Sequence, residues 1–118
     1  FIYVRSASKD HGLGNQIEGY FEEGQKVVVI EDLISTGGSS LKAVEALRAA
    51  NVNVMGMLAI FTYQFSVSVD AFAKANCKVD TLTNYTALIE LATEKNYITP
   101  AQMESLKEWR NHPDTWGK

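Results

Sequence analysis

Apolar positions change their spacing several times along the chain, and each change marks an element. Residues 26–30 form a near-continuous Val/Ile run, the pattern of a strand covered on both faces within a parallel sheet. Beyond Ser39 and Ser40 the spacing becomes helical: Leu41, Val44 and Leu47 recur beside Ala43, Ala46 and Ala50, with Lys42, Glu45 and Arg48 on the opposite side. Asn51 ends that helix, and residues 52–62 (VNVMGMLAIFT) read as a second strand. Residues 26–62 are thus a strand–helix–strand unit, whose crossover is expected to be right-handed. Helices follow over about 66–76 and 84–95, with a strand over about 77–82 between them. Thr99-Pro100-Ala101-Gln102 signals a last helix, with a capping hydroxyl, a proline in the first turn and a reciprocal glutamine. His112-Pro113 stops it.

Before the first long strand, residues 1–4 read as a short strand and residues 5–24 as a polar loop carrying Gly12, Gly14, Gly19 and Gly24. Twenty residues without an element are unusual in a compact domain and point to a lid or binding loop. Alternating strands and helices give an α/β class with a mainly parallel sheet flanked by helices.

With 118 residues the chain is at most one domain. Its opening, FIYVR, reads as though already inside a strand, so the segment is expected to be the later part of a longer polypeptide. The net charge of -3 and the lack of a basic stripe argue against nucleic acid as a partner. No apolar run approaches the ~18 residues of a membrane span, and no cleavable leader opens the chain. One cysteine, Cys77, cannot form an internal disulfide. It reads as a core residue in a reducing compartment, giving a cytoplasmic expectation.

The candidate chemistry lies in VVVIEDLISTGGSS, residues 27–40. Glu31 and Asp32 follow the apolar run, so they stand near the carboxyl end of a strand, where ligands of open α/β sheets collect. Two adjacent buried anions repel; sugar hydroxyls or a magnesium ion would use their acceptor capacity. The glycines then open a helix whose first-turn amides and dipole favour a phosphate. Acids for a sugar, one helical turn from a cradle for its phosphate, is the reading these residues give. Neither a dinucleotide GxGxxG pattern nor a triphosphate loop ending in Lys-Ser/Thr is present.

VVVIEDLISTGGSS resembles the phosphoribosyl-pyrophosphate signature of type I phosphoribosyltransferases. YVRSASKDHGLGNQIEG, residues 3–19, resembles the mobile catalytic loop of the orotate-specific branch, and LKAVEALRAANVNVMGMLAIFTYQ continues the match, so the likeness covers nearly the whole chain. It implies a partial, Rossmann-like phosphoribosyltransferase domain over residues 1–118, with residues 5–24 as the loop and 27–40 as the substrate motif. The implied reaction moves the 5-phosphoribosyl group from phosphoribosyl pyrophosphate to orotate, giving orotidine 5'-monophosphate and pyrophosphate in pyrimidine synthesis. By the same resemblance Glu31 and Asp32 meet the ribose hydroxyls, and Leu33, Ile34, Ser35, Thr36, Gly37, Gly38 and Ser39 complete the sugar-phosphate cradle, with Ser35 also near orotate. Arg5, Lys9 and His11 meet the pyrophosphate, and Lys9, Asp10 and His11 are the catalytic candidates of the loop. Magnesium is implied, held mainly by the pyrophosphate and ribose oxygens, as is a homodimer whose loop reaches the partner's site.

The chain departs from the family pattern in two places. Ser6 stands where many relatives have a second basic residue, and Tyr63-Gln64-Phe65 stands where one branch has an orotate-binding arginine. A purine-specific transferase and a non-catalytic regulator sensing phosphoribosyl pyrophosphate are the alternatives; Lys9-Asp10-His11-Gly12 argues against both. Tyr85, Trp109, Phe72 and Tyr97 are expected in core packing or a subunit interface.

Overall fold

The computed structural model describes residues 1–6 and 16–118. Within them the order is β1 (Tyr3–Val4), β2 (Ile17–Glu18), β3 (Lys26–Ile34), α1 (Gly38–Ala49), β4 (Asn53–Thr62), α2 (Ser66–Lys74), β5 (Val79–Asn84), α3 (Tyr85–Glu94) and α4 (Pro100–Asn111). β3, β4 and β5 form a parallel sheet in that spatial order. β1 and β2 form a separate antiparallel ladder, pairing Tyr3 with Glu18 and Val4 with Ile17.

The core lies between the sheet and α1 with α2. Ile34, Val44, Met57, Ala59, Phe72 and Cys77 form one buried cluster, and fully burying one of its larger apolar side chains contributes about 1.5–3 kcal/mol. α1 faces the sheet through Ser40, Val44 and Leu47, the 4–3 spacing that returns a helix to one face. Cys77 is a free, buried thiol within this core, as expected. Burial pushes its pKa up, against the pull of nearby Arg48.

A bulge keeps the core side of β4 in phase. Val27 pairs with Val54 but Val28 with Gly56, so Met55 is an extra residue and Met57 and Ala59 still point inward. Gly56 suits that crowded point: a Cβ would meet the Lys78 carbonyl oxygen at 3.0 Å, the same oxygen that accepts the Met57 amide at 2.8 Å.

The helices end and begin on recognisable signals. α1, α2 and α3 each run into an asparagine at positive φ, Asn51, Asn76 and Asn96. The amides of Val52, Cys77 and Tyr97 turn back onto the carbonyls of Leu47, Phe72 and Ala92, the closing pattern in which a left-handed residue satisfies the last carbonyls. α4 carries the expected capping box between Thr99 and Gln102, with Pro100 at its start.

Among the described residues β3 is covered on one face, while Val28 (49%) and Ile30 (72%) are exposed on the other, in a row with Leu58, Ile60 and Leu82. Two expectations need correction. First, the strand runs past the acidic pair to Ile34. Second, the segment from residue 5 to 24 is not wholly without structure, because β2 returns to pair with β1; a two-residue strand is too short for period-two alternation to register.

Candidate functional site at the carboxyl edge of the sheet

Because the strands are parallel, β3, β4 and β5 all end on one edge, at Ile34, Thr62 and Asn84. The segment after β3 turns directly into α1. Gly37 holds that turn with φ of 88°, and a Cβ on it would meet Phe72 Cε2 at 2.9 Å. Glycine is therefore demanded twice, by the left-handed backbone and by the core aromatic beneath it.

The start of α1 is left open. Its N-cap residue Gly37 offers no side chain to the first-turn amides, and no acidic residue lies in that turn. Two helices are closed by a side chain, Asn84 accepting the Ala87 amide at the start of α3 and Thr99 that of Gln102 at α4, whereas α2, with Phe65 at its N-cap, shares the open start. The first intrahelical bond into Gly37 comes from the Leu41 amide at 2.9 Å, so the amides of Gly38, Ser39 and Ser40 have no partner within the helix. Ser35, Thr36 and Ser39 are exposed around them. Hydroxyl donors, unpaired amides and the positive end of a helix dipole together form a receptor for an anion such as phosphate.

The acids divide. Glu31 belongs to the half-buried row of β3 and, with Arg5, Ser6 and Ser39, lines a groove of about 680 Å³ between β1, β3 and α1. Asp32 and Leu33 are both exposed, breaking the alternation before Ile34 turns into the core. The Asp32 carboxylate accepts the Leu33 amide at 2.7 Å. Glu31 and Asp32 thus share the last stretch of a strand that continues past them to Ile34. Ile34 has only its main chain to offer a ligand, its side chain being 2% exposed.

Arg5 sits at the groove, held through its backbone. Its amide donates to the Gln16 carbonyl at 2.7 Å, and Gln16 Nε2 donates to the Arg5 carbonyl at 3.0 Å. Its guanidinium pairs with Glu18 across the β1–β2 ladder. Lys9, Asp10 and His11, the remaining candidates of the loop, lie outside the described residues. Among the described residues no three acidic, imidazole or thiol groups converge as a metal cluster would. Glu31 and Asp32 are the carboxylates at this strand end that could hold a divalent cation.

Beyond the end of β4 lies a feature the sequence reading did not identify as a unit. Tyr63 stacks on Phe65, with centroids 5.3 Å apart and planes at 12°, and meets Phe61, Tyr85 and Trp109 at steeper angles. Tyr85 and Trp109 pack here, as expected of core aromatics, whereas Tyr97 is exposed. Burial raises the Tyr85 phenol pKa, Arg110 opposes that shift, and Tyr63 adds to it. The sequence held one signal, an aromatic at every second position from 61 to 65, but nothing to say that α4 would close over it.

Comparison with known proteins gives this arrangement its class. No family model matches the chain. In solved structures, 92% of the chain superimposes on 23% of Leishmania donovani UMP synthase, with TM-score 0.74 and 28% identity. A further 25%-identical match covers 64% of the chain and 45% of a Mycobacterium tuberculosis orotate phosphoribosyltransferase in complex with 5-phospho-α-D-ribosyl 1-diphosphate, with TM-score 0.56. The fold is that of the type I phosphoribosyltransferases. Within that class the chain is a relative of the orotate phosphoribosyltransferases: it is 59% identical over 117 residues to the Listeria innocua enzyme of that name, a match covering 99% of this chain and 56% of that protein. It spans a little over half the length of the curated relatives it matches.

Proposed function

We propose that this chain is the ribose-phosphate-binding portion of an orotate phosphoribosyltransferase, working in the cytoplasm on phosphoribosyl pyrophosphate and orotate. The observation that carries the reading is the open start of α1. A helix docked in the core by Val44 and Leu47 leaves its first-turn amides uncapped at the carboxyl edge of the sheet, directly after two carboxylates. The 59% identity to an enzyme named for this reaction supplies the base.

In this mechanism the 5-phosphate sits on the amides and hydroxyls of residues 35–39, and Glu31 and Asp32 accept hydrogen bonds from the ribose hydroxyls. A ring nitrogen of orotate forms a bond to the anomeric carbon and loses its proton, which the departing pyrophosphate takes up. The bond from that carbon to pyrophosphate breaks, and its electron pair leaves with the pyrophosphate. Negative charge grows on the departing group, where Arg5, Lys9 and His11 stabilise it, and Asp10 of the loop contacts the neighbouring subunit's site. For Arg5 to take part, Glu18 must yield its partner. A closed loop over residues 5–24 excludes water that would otherwise take the ribosyl group. Magnesium carried by the pyrophosphate would supply further charge neutralisation. The working unit is a homodimer in which the loop of one protomer serves the site of the other.

The test is pyrophosphate release by the full-length protein supplied with phosphoribosyl pyrophosphate and one base at a time. Orotate should support turnover, and uracil, adenine and hypoxanthine should not. Turnover with a purine, or with no base at all, contradicts the reading.

A further inference from the structure

Four residues other than glycine adopt positive φ among the described residues: Asn51, Gln64, Asn76 and Asn96. The three asparagines close helices, where a left-handed residue is expected. Gln64 closes none. It lies two residues past the end of β4, with φ of 61°, in a conformation its side chain disfavours unless neighbours hold it there.

Neighbours from two helices do so. Gln64 Oε1 accepts the Thr86 amide at 3.1 Å, the Thr86 hydroxyl at 2.7 Å and Arg110 Nη1 at 3.3 Å. Arg110 Nη1 also donates to the Thr86 hydroxyl at 3.1 Å, so the three side chains close a ring of bonds. On the strand side, the Gln64 amide donates to Thr62 Oγ1 at 3.1 Å, and the Tyr63 amide donates to the Ile34 carbonyl at 3.2 Å. Tyr63 is thereby held level with Ser35, the residue that opens the phosphate cradle. Its ring is fixed by Phe65 on one face and by Trp109 at the edge, yet it remains half-buried rather than enclosed.

We propose that Gln64 is a positioning residue for the base side of the site: through Thr86 and Arg110 it fixes the turn that presents Tyr63 beside the Ile34–Ser35 strand end, where a planar base attached to the bound ribose lies against it. The inference rests on the functional reading above and deepens it by naming what holds the base. A ribose whose phosphate is seated on α1 and whose hydroxyls face β3 has its anomeric carbon over the strand ends, and the next strand end along the edge is that of β4. Gln64 touches no substrate in this scheme. Its work is to prevent the turn from relaxing to an ordinary negative φ, which would swing Tyr63 away from the ligand.

The experiment compares binding of orotidine 5'-monophosphate and ribose 5-phosphate to the full-length protein by calorimetry. The two ligands share the sugar phosphate and differ by the base, so the ratio of their affinities reads the base side alone. Gln64→Met, which keeps the bulk and removes the acceptor, should lower that ratio about tenfold while ribose 5-phosphate affinity stays within about twofold. Gln64→Glu keeps an acceptor oxygen and should restore most of the ratio. Equal weakening of both ligands would mean a general structural role and overturn the proposal, as would an unchanged ratio, with the functional reading intact in either case. If the unaltered protein itself does not prefer orotidine 5'-monophosphate, the functional reading fails and the proposal falls with it. Should Gln64→Met not fold, Arg110→Met removes one donor of the ring and reads the same ratio; a drop of about threefold supports the proposal and no drop overturns it.

Discussion

Replacing Gly38 by alanine should move stability and phosphate affinity in opposite directions. Gly38 is the first residue of α1, and a Cβ there has nothing nearer than Thr36 Oγ1 at 3.8 Å, so the methyl group fits the unliganded protein without strain. Alanine also narrows the unfolded ensemble, and at a compatible site that stabilises by about 0.4–1 kcal/mol. The same methyl group tilts toward the N-terminal end of its helix, into the space that a phosphate on the first-turn amides would occupy. Losing one charge-assisted hydrogen bond there costs about 1.5–3 kcal/mol, or about tenfold to a hundredfold in affinity. Thermal unfolding of the full-length protein should therefore rise by a few degrees while calorimetric binding of ribose 5-phosphate weakens at least tenfold. A stabilised variant with unchanged affinity would show that no anion seats on α1, and the sugar-phosphate assignment would go with it. Gly37→Ala is the contrasting control: its positive φ and the 2.9 Å approach to Phe72 should destabilise the fold by about 2 kcal/mol or more, ligand present or not.

Lys9→Ala in the full-length protein should lower turnover about a hundredfold while leaving ribose 5-phosphate binding nearly unchanged, since its charge matters most as pyrophosphate departs; steady-state kinetics beside calorimetry separates the two. Asn51→Ala should destabilise by about 1 kcal/mol in chemical denaturation, because alanine tolerates the φ of 60° less well, and Asn51→Gly should not. The Tyr85 phenol, raised by burial, donates to the Leu106 carbonyl at 3.3 Å. Its folded pKa exceeds its unfolded one, so its contribution is complete below pH ~10 and is lost as pH climbs from there through the folded value. Tyr85→Phe should remove that part of the alkaline loss of stability, read from melts between pH 9 and about 11.

The elements written into one local pattern were legible in the sequence. α1 could be read from Leu41, Val44 and Leu47, and α4 from Thr99, Pro100 and Gln102, because each is fixed by contacts within a few residues. β2 and the far end of β3 were not. Ile17 and Glu18 become a strand only by meeting Tyr3 and Val4, and β3 passes the acidic pair because Leu33 and Ile34 pair with Phe61 and Thr62 of a strand nearly thirty residues on. The same limit applies at the site. Glu31, Asp32 and the glycine turn were readable as a motif, whereas the ring of Gln64, Thr86 and Arg110 depends on three segments that converge only after folding.

That division has a physical consequence for how the site works. The proposed anion receptor is the uncapped end of α1, a helix with Val44 fully buried, Leu47 3% exposed and Ser40 1% exposed, and tied at its other end by Arg48 to the carbonyls of Ala75 and Asn76, at 2.6 and 3.1 Å. Its amides are therefore held in place before any ligand arrives, and binding need not order them. The groups assigned to the leaving pyrophosphate are of another kind: Arg5 is engaged by Glu18, and Lys9 and His11 belong to the segment between β1 and β2. In the proposed mechanism the prepositioned amides would meet the part of the substrate that does not change during the reaction, while Arg5, Lys9 and His11 would meet the part whose charge grows. An interaction present equally before and during bond cleavage lowers substrate concentration requirements but not the barrier. On this arrangement variants of residues 35–39 should act mainly on affinity and variants of the loop mainly on turnover.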